Sequence, residues 1–311
     1  MRAIQFTQYG EPSVLEAVEF PLPAPGAGEV LVRVAGTTFN QVDATIRAGY
    51  LASVFPMELP HVPGIDVSGT VVAVGEGVAP DLVGGNVVAF LPPTSSGASA
   101  EYAIVSAELL AAAPASIPLA DAATLASSGL TAWQAVIEQA DVRAGQRVLV
   151  NGAGGGVGGF AVQLAARAGA TVIATASPRS RDAVVSDGAS QVIDYTSTPV
   201  VEALTEPVDA VLNFVRTTPA ETAALVALVA PGGVFVSTTT PGEPAGGVRT
   251  VAVFARSDAT QLTRLAELVD AGELRVDVSE RHSLDDLAAV HTMAEAGKLR
   301  GKVVLTPTSR S

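Results

Sequence analysis

Residues 148–159 read VLVNGAGGGVGG, and six of the eight positions from 152 to 159 are glycine. An apolar run ends at Asn151, the glycines follow, and FAVQLAARAGA continues with the apolar spacing of a helix. Such a strand–turn–helix binds phosphate. Glycine lets the chain turn sharply and brings backbone amides against a pyrophosphate, while the helix N-terminus supplies free N–H donors and partial positive charge. A glycine pattern alone is a weak signal. Here a second strand at 171–176 completes the context that a dinucleotide fingerprint requires. Two registers fit: Ala153-x-Gly155-x-x-Gly158 and Gly154-x-Gly156-x-x-Gly159.

The end of that second strand speaks to the choice of cofactor. A site for NAD usually carries Asp or Glu there to accept the ribose 2′-hydroxyl. This strand ends Thr175-Ala176-Ser177, with no acid, and Arg179 and Arg181 follow. A hydroxyl and a planar cation suit a 2′-phosphate, which favours NADPH over NADH. The same arginines would also serve to solvate an early helix turn, and Asp182 is placed to pair with either.

These residues need a scaffold, and the pattern around them supplies one. Strands at 147–151, 171–176, 191–194, 208–213 and 233–237 alternate with helices near 157–168, 180–186 and 219–229. Continuous apolar strands between helices predict a parallel sheet covered on both faces, a doubly wound α/β domain. Before it, to about residue 113, short strands at 29–34, 67–75, 86–90 and 101–106 are separated by dense Pro and Gly, the pattern of a β barrel or sandwich. An Ala-rich helical pattern runs 120–139. The tail predicts a helix at 258–271, a strand at 274–279, a helix at 284–296 and a strand at 301–305.

Composition closes several doors. The 311 residues carry 18 Lys+Arg against 31 Asp+Glu, a net charge of −13, which argues against nucleic acid as a partner. There is no Cys, so disulfides, cysteine nucleophiles and Cys-ligated metal are excluded. Mean hydropathy is +0.40, yet the longest apolar stretch, 223–230, is about half of the roughly 18–20 residues a membrane span needs. The start, MRAIQFTQYGEP, lacks the apolar core of a secretory signal, and a cytoplasmic location is expected. His61, His282 and His291 form no metal-ligand spacing. No Gly-x-Ser-x-Gly, Walker A or Tyr-x-x-x-Lys motif occurs, and Lys298 and Lys302 are the only lysines.

Several segments, in order, resemble the medium-chain dehydrogenase/reductase superfamily, in its zinc-free quinone oxidoreductase branch. They are MRAIQFTQYGEPSVLE at the start, FNQVDATIRAGY at 39–50, HVPGIDVSGTVVAVG at 61–75, SAEYAIV at 99–105, SGLTAW at 128–133, NGAGGGVG at 151–158 and RGKVVL at 300–305. The resemblance implies a GroES-like β domain, residues 1–119 completed by 255–311, and a Rossmann NADPH-binding domain, 120–254. In zinc-binding relatives a Cys stands near Asn40 and Gly-His-Glu near Gly64-Ile65-Asp66. Ile65 cannot ligate, so no metal is expected.

By the same resemblance Asn40 and Asp43 lie near the nicotinamide and Tyr50 near the substrate mouth, which makes these three the catalytic candidates. Asn40 also counts among the cofactor residues. The turn Gly152, Ala153, Gly154, Gly155, Gly156 and Val157 would take the pyrophosphate. Ser177, Arg179 and Tyr195 would surround the 2′-phosphate. Phe214, Val215, Thr238 and Thr239 would line the cofactor, with Thr131, Trp133 and Phe254 at the nicotinamide and Lys302 reaching in from the tail. Blander roles compete: Asp43 as cap of a helix from Ala44, Phe214 and Phe254 as core, Tyr195 as a half-buried loop aromatic, and Lys302 as a solvated edge-strand charge. Gly85-Asn86-Val87-Val88 stands where the family often has Gly-Asp-Arg-Val, and the Ser-rich stretch 92–100 suggests a different substrate mouth. The expected activity is hydride transfer from NADPH to a quinone or an activated alkene. An NADPH-binding protein of this fold without turnover is the alternative. A homodimer is expected, with the β-branched run 248–254 as a candidate sheet edge.

Overall fold

The computed structural model describes residues 1–308. The chain forms two compact units, one of residues 1–127 with the chain from 257 onward and one of Ser128–Arg256. Among the described residues no helix is long and apolar enough to cross a membrane.

The first unit is built on a seven-stranded sheet. Its path runs Val278–Ser283, Lys302–Thr306, Glu29–Thr38, Asp66–Val74, Asn86–Phe90 and Ala111–Ala112, with Tyr102–Ser106 also paired to Glu29–Thr38. Val278–Ser283 and Lys302–Thr306 run parallel, and the other pairs are antiparallel. The alternation in EVLVRV puts Val30, Val32 and Val34 inside with Val67, Val71, Val87 and Val105. Each such side chain contributes about 1.5–3 kcal/mol by leaving water. Glu29–Thr38 leads straight into the helix Gln41–Arg47, with Asn40 at its N-cap.

The second unit is a six-stranded sheet in which every pair is parallel. Across it lie Gln191–Asp194, Thr171–Ala176, Arg147–Asn151, Val208–Asn213, Val229–Ser237 and Arg249–Ala252. Numbered in chain order within the sheet, that is 3-2-1-4-5-6, the doubly wound order whose chain reversal opens a ligand crevice at the carboxyl ends of the first and fourth strands. The run at 248–254 forms Arg249–Ala252, an edge strand with one neighbour among the described residues.

Two segments depart from the sequence pattern. The stretch 120–139 is not one helix but a 3-10 turn Leu119–Leu125, an α-helix Ser127–Trp133 and a π-helix Gln134–Gln139. The break has a cause: the Ser127 N–H donates to Asp66 Oδ1 at 2.7 Å. Further on, the Gln134 side chain donates to the Arg256 carbonyl and accepts the Arg256 N–H, at 2.9 and 3.1 Å, where the helix widens. The strand expected at 274–279 is Val278–Ser283, its register set by parallel pairing with Lys302–Thr306. That pairing also covers Lys302–Thr306, so Lys302 is not on an edge.

Candidate active site

In the second unit the glycine turn closes the first strand of the parallel sheet. Gly152 has φ +91°, and a Cβ there would stand 2.6 Å from Val215 Cγ1, so only glycine makes this turn. The helix that follows, Gly156–Arg167, has Gly155 at its N-cap and no side-chain cap. Its first N–H groups are left for another acceptor. A Cβ on Gly158 would lie 2.2 Å from the Gly152 carbonyl oxygen, whereas one on Gly159 would meet only Asp187 Oδ2, at 3.4 Å. The tight helix–turn contact therefore falls on Gly158, which is the last glycine of the Ala153-x-Gly155-x-x-Gly158 register.

A line of uncharged polar side chains joins the strand ends. The Gly152 N–H donates to Thr175 Oγ1, which donates to Asn151 Oδ1, each at 2.9 Å. Asn151 Nδ2 donates to Asn213 Oδ1 at 2.9 Å. Asn213 Nδ2 in turn reaches the Val215 carbonyl at 3.0 Å and Ser237 Oγ at 3.2 Å. All four strand-end residues are buried. Their bonds fix the turn relative to the loops after the fourth and fifth strands, which carry Phe214, Val215, Thr238 and Thr239. Thr239 Oγ1 donates to the Val215 carbonyl at 2.7 Å, tying those loops together.

Beyond Ala176 the chain exposes Arg179, whose guanidinium has no hydrogen bond or ion pair among the described residues. Neither Arg179 nor Arg181 pairs with Asp182. Ser177 Oγ lies 3.4 Å from Ser180 Oγ. Tyr195 is 54% exposed and Phe254 84% exposed, so Phe254 is not core. Phe214 is half-buried, as are Thr131 and Trp133 in the helix Ser127–Trp133.

The first unit holds a different constellation. Asp66, fully buried, accepts at Oδ2 from the hydroxyl of Thr38, from Asn40 Nδ2 at 2.9 Å, from Ser127 Oγ at 3.1 Å and from Lys302 Nζ at 3.4 Å. Asn40 Oδ1 accepts from Lys302 Nζ at 2.8 Å and shares the single Ser127 hydroxyl proton, at 3.1 Å, with Asp66 Oδ2. The Asn40 amide is thus held at both ends. Lys302 is 4% exposed, which corrects its reading as a solvated edge charge. Burial lowers its pKa, and the charges of Asp66 and Asp43 partly restore it.

Asp43 lies in the first turn of the helix Gln41–Arg47, with Asn40 in the cap position, so the reading of Asp43 as cap of a helix from Ala44 is also corrected. Its Oδ1 accepts the Gly64 N–H at 3.2 Å, and its Oδ2 has no partner. Burial, then the neighbouring Asp66 carboxylate, raises its pKa to about 7, against the pull of the Gly64 N–H, Lys302 and Asn40. Tyr50 is 82% exposed, and its side chain makes no hydrogen bond among the described residues. The structure joins Asn40, Asp43 and Lys302 in one cluster and leaves Tyr50 out of its hydrogen bonds. Sequence reasoning missed Thr38, Asp66 and Ser127 as members of that cluster. It also missed the strand-end line of Asn151, Thr175, Asn213 and Ser237. For the line a signal was present, since RVLVN, VDAVLN and VFVS each end an apolar run on a polar residue. Among the described residues no group of three or more His, Cys, Asp or Glu is arranged to hold a metal.

Comparisons with known proteins bear on what this arrangement does. Residues 26–115 match the alcohol dehydrogenase GroES-like domain, and residues 188–305 match a zinc-binding dehydrogenase family. The chloroplastic quinone-oxidoreductase QR1 of Triphysaria versicolor is 31% identical, over 99% of this chain and 98% of its own length. The structure of the quinone oxidoreductase from Coxiella burnetii superposes with a TM-score of 0.90 at 31% identity, over 99% of both chains. That of Escherichia coli quinone oxidoreductase complexed with NADPH gives 0.87 at 26% identity, over 99% of this chain and 100% of that one.

Proposed function

Because the chain belongs to the medium-chain dehydrogenase/reductase superfamily, in its quinone oxidoreductase branch, we propose that it is an NADPH-dependent reductase of quinones or of activated, α,β-unsaturated carbonyls. The observation that carries the cofactor choice is the free Arg179 guanidinium beside Ser177, beyond a strand end with no acid. A 2′-phosphate supplies the partner this arginine lacks, whereas a ribose hydroxyl would find no carboxylate there.

The residues present fit the cofactor. An uncapped helix N-terminus and the turn from Gly152 to Val157 suit a pyrophosphate. Ser177, Arg179 and Tyr195 take the 2′-phosphate. Phe214, Val215, Thr238 and Thr239 line the middle of the molecule. Asn40, Thr131, Phe254 and Lys302 serve its nicotinamide end. The bound dihydronicotinamide supplies a hydride. The chain's own residues bind and orient it and stabilise the charge that develops on the acceptor. Quinones and conjugated enones are both flat electrophiles that ask for the same geometry. Tyr50 is the acceptor-side residue of this reading. The edge strand Arg249–Ala252 is the surface through which two copies pair.

The test mixes protein and NADPH with a panel of benzoquinones, naphthoquinones and enones and follows the loss of NADPH absorbance. Turnover of one acceptor class is expected. Measurable NADPH binding with no turnover of any acceptor would instead favour a binding protein of this fold.

A further inference from the structure

The second unit carries eight arginines and no lysine. Five of the eight are engaged. Arg143 pairs with Asp141, Arg147 with Glu206 and Arg256 with Glu138, Arg249 donates to the Gln139 carbonyl, and Arg167 is not free either. The other three, Arg179, Arg181 and Arg216, are exposed and have no partner among the described residues. Their positions are not scattered. Arg179 and Arg181 follow the carboxyl end of Thr171–Ala176, and Arg216 follows that of Val208–Asn213. Those two strands are the neighbours of Arg147–Asn151, the strand that ends in the glycine turn. The chain has 31 acidic residues and a net charge of −13. Unpaired cations on both sides of one turn in such a chain mark a place where negative charge arrives from outside.

Charge bookkeeping separates the roles of the two sides. Arg179 answers a 2′-phosphate. The diphosphate of the same cofactor brings two further negative charges to the turn. The N-terminus of Gly156–Arg167 supplies about half a positive charge, and residues 152–159 contain no cation. Most of the diphosphate charge is therefore left to a side chain from a neighbouring loop. The loop of Arg216 is built for that. The Val215 carbonyl accepts from Asn213 Nδ2 at 3.0 Å and from Thr239 Oγ1 at 2.7 Å. The Thr217 N–H donates to Thr240 Oγ1 at 3.3 Å, and the Thr217 carbonyl accepts from the same hydroxyl at 2.7 Å. Both peptides that flank Arg216 are thus anchored. The loop also leans on the turn, since a Cβ on Gly152 would stand 2.6 Å from Val215 Cγ1 and 3.6 Å from the Phe214 carbonyl carbon. Arg216 Cα is one peptide, about 3.8 Å, beyond Val215 Cα. A fixed backbone against the turn carries one long, unpaired cation, so an anion that takes it orders only the side chain.

We propose that Arg216 binds the cofactor's diphosphate from the side of the fourth strand, across the glycine turn from Arg179. This rests on the NADPH reading above and adds a residue to it. Two arginines then divide the work. Arg179 reads the 2′-phosphate and separates NADPH from NADH. Arg216 holds the group that both cofactors share.

Calorimetric titration with pieces of the cofactor tells the two apart. ADP carries the diphosphate without the 2′-phosphate, and adenosine 2′-monophosphate carries the 2′-phosphate without the diphosphate. Arg216→Ala should weaken ADP, NADH and NADPH by a common factor of about tenfold or more, the loss of a charge-assisted bond. It should leave adenosine 2′-monophosphate unchanged. Arg179→Ala should do the reverse with the two fragments, and Arg216→Lys should recover part of the ADP affinity through its charge. Without ligand, Arg216→Ala should melt at the wild-type temperature, because its side chain has no partner to lose. ADP affinity that is unchanged in Arg216→Ala overturns the proposal. So does an equal loss for both fragments, which would put the guanidinium on the adenosine they have in common. Wild type that binds neither NADPH nor ADP overturns the NADPH reading and the Arg216 assignment together, whereas binding of both that ignores Arg216→Ala overturns the assignment alone.

Discussion

Both units bury polar side chains at the ends of their strands, but of opposite kinds. In the parallel sheet the line through Thr175, Asn151, Asn213 and Ser237 is made of amides and hydroxyls. In the β unit the cluster around Asp66 contains two carboxyls and an ammonium. Neutral hydrogen bonds net about 0.5–1.5 kcal/mol each and do not change with pH. Buried charges are costly and conditional, because removing one partner strands the other. The neutral line can only hold a shape, which is what a phosphate-binding turn needs. The charged cluster can change its protonation, so its contribution to stability depends on pH.

Breaking each region should give a different signature. The largest effect is expected from Lys302→Met, which leaves Asp66 buried without its cation. Urea unfolding at pH 7 should show a loss of about 3–5 kcal/mol, partly recovered by adding Asp66→Asn. A loss under 1 kcal/mol would mean the ammonium is not buried against Asp66. Next comes Asn213→Leu, which leaves the buried Asn151 Nδ2 without its acceptor. It should cost about 1–3 kcal/mol, and by the same amount at pH 6 and pH 8. A pH-dependent cost would erase the contrast between the regions.

The pH dependence sharpens the comparison further. The folded pKa of Asp43, about 7, lies above the ordinary carboxyl value of 3.8, so the folded state keeps a proton that the unfolded chain has released. Its contribution is complete below pH 3.8 and is lost as pH rises to about 7. The stability of Asp43→Asn relative to wild type should therefore climb by about 1.4 kcal/mol per pH unit across that window. His61 and His291 act in the opposite direction. Burial lowers His61 to about 4, and burial with the Arg47 charge lowers His291 to about 3, from 6.5. Their stabilisation is present above pH 6.5 and is lost as pH falls through those values. Denaturant midpoints across pH 4–8 for wild type, Asp43→Asn and His291→Phe check both signs.

The glycine turn and the strand ends beside it were legible in the sequence because their parts are local. Strand, glycine turn, helix and acid-free strand end all lie within 147–181, and each element was specified by its own run of residues. Only the register of the glycines needed coordinates, since just the backbone shows that Gly158 has no room for a side chain. The charged cluster of the first unit was not legible for the opposite reason. Asp66 and Lys302 meet across 236 residues, and Asn40 and Lys302 across 262. A lysine in a terminal strand reads as solvated until Val278–Ser283 is seen to pair outside it. The stretch 120–139 misled in the same way. Its composition is helical throughout, but Asp66 captures the Ser127 N–H and restarts the helix there.

The reading of the whole chain as an NADPH enzyme turns on one exposed guanidinium. Dissociation constants for NADPH and NADH, measured by calorimetric titration on wild type and on Arg179→Ala, test it most directly. The account predicts that wild type binds NADPH at least about tenfold tighter than NADH, since a charge-assisted bond is worth about 1.5–3 kcal/mol. It also predicts that Arg179→Ala removes most of that margin by weakening NADPH while leaving NADH nearly unchanged. Equal affinity for the two cofactors in wild type, or equal weakening of both by Arg179→Ala, would contradict it.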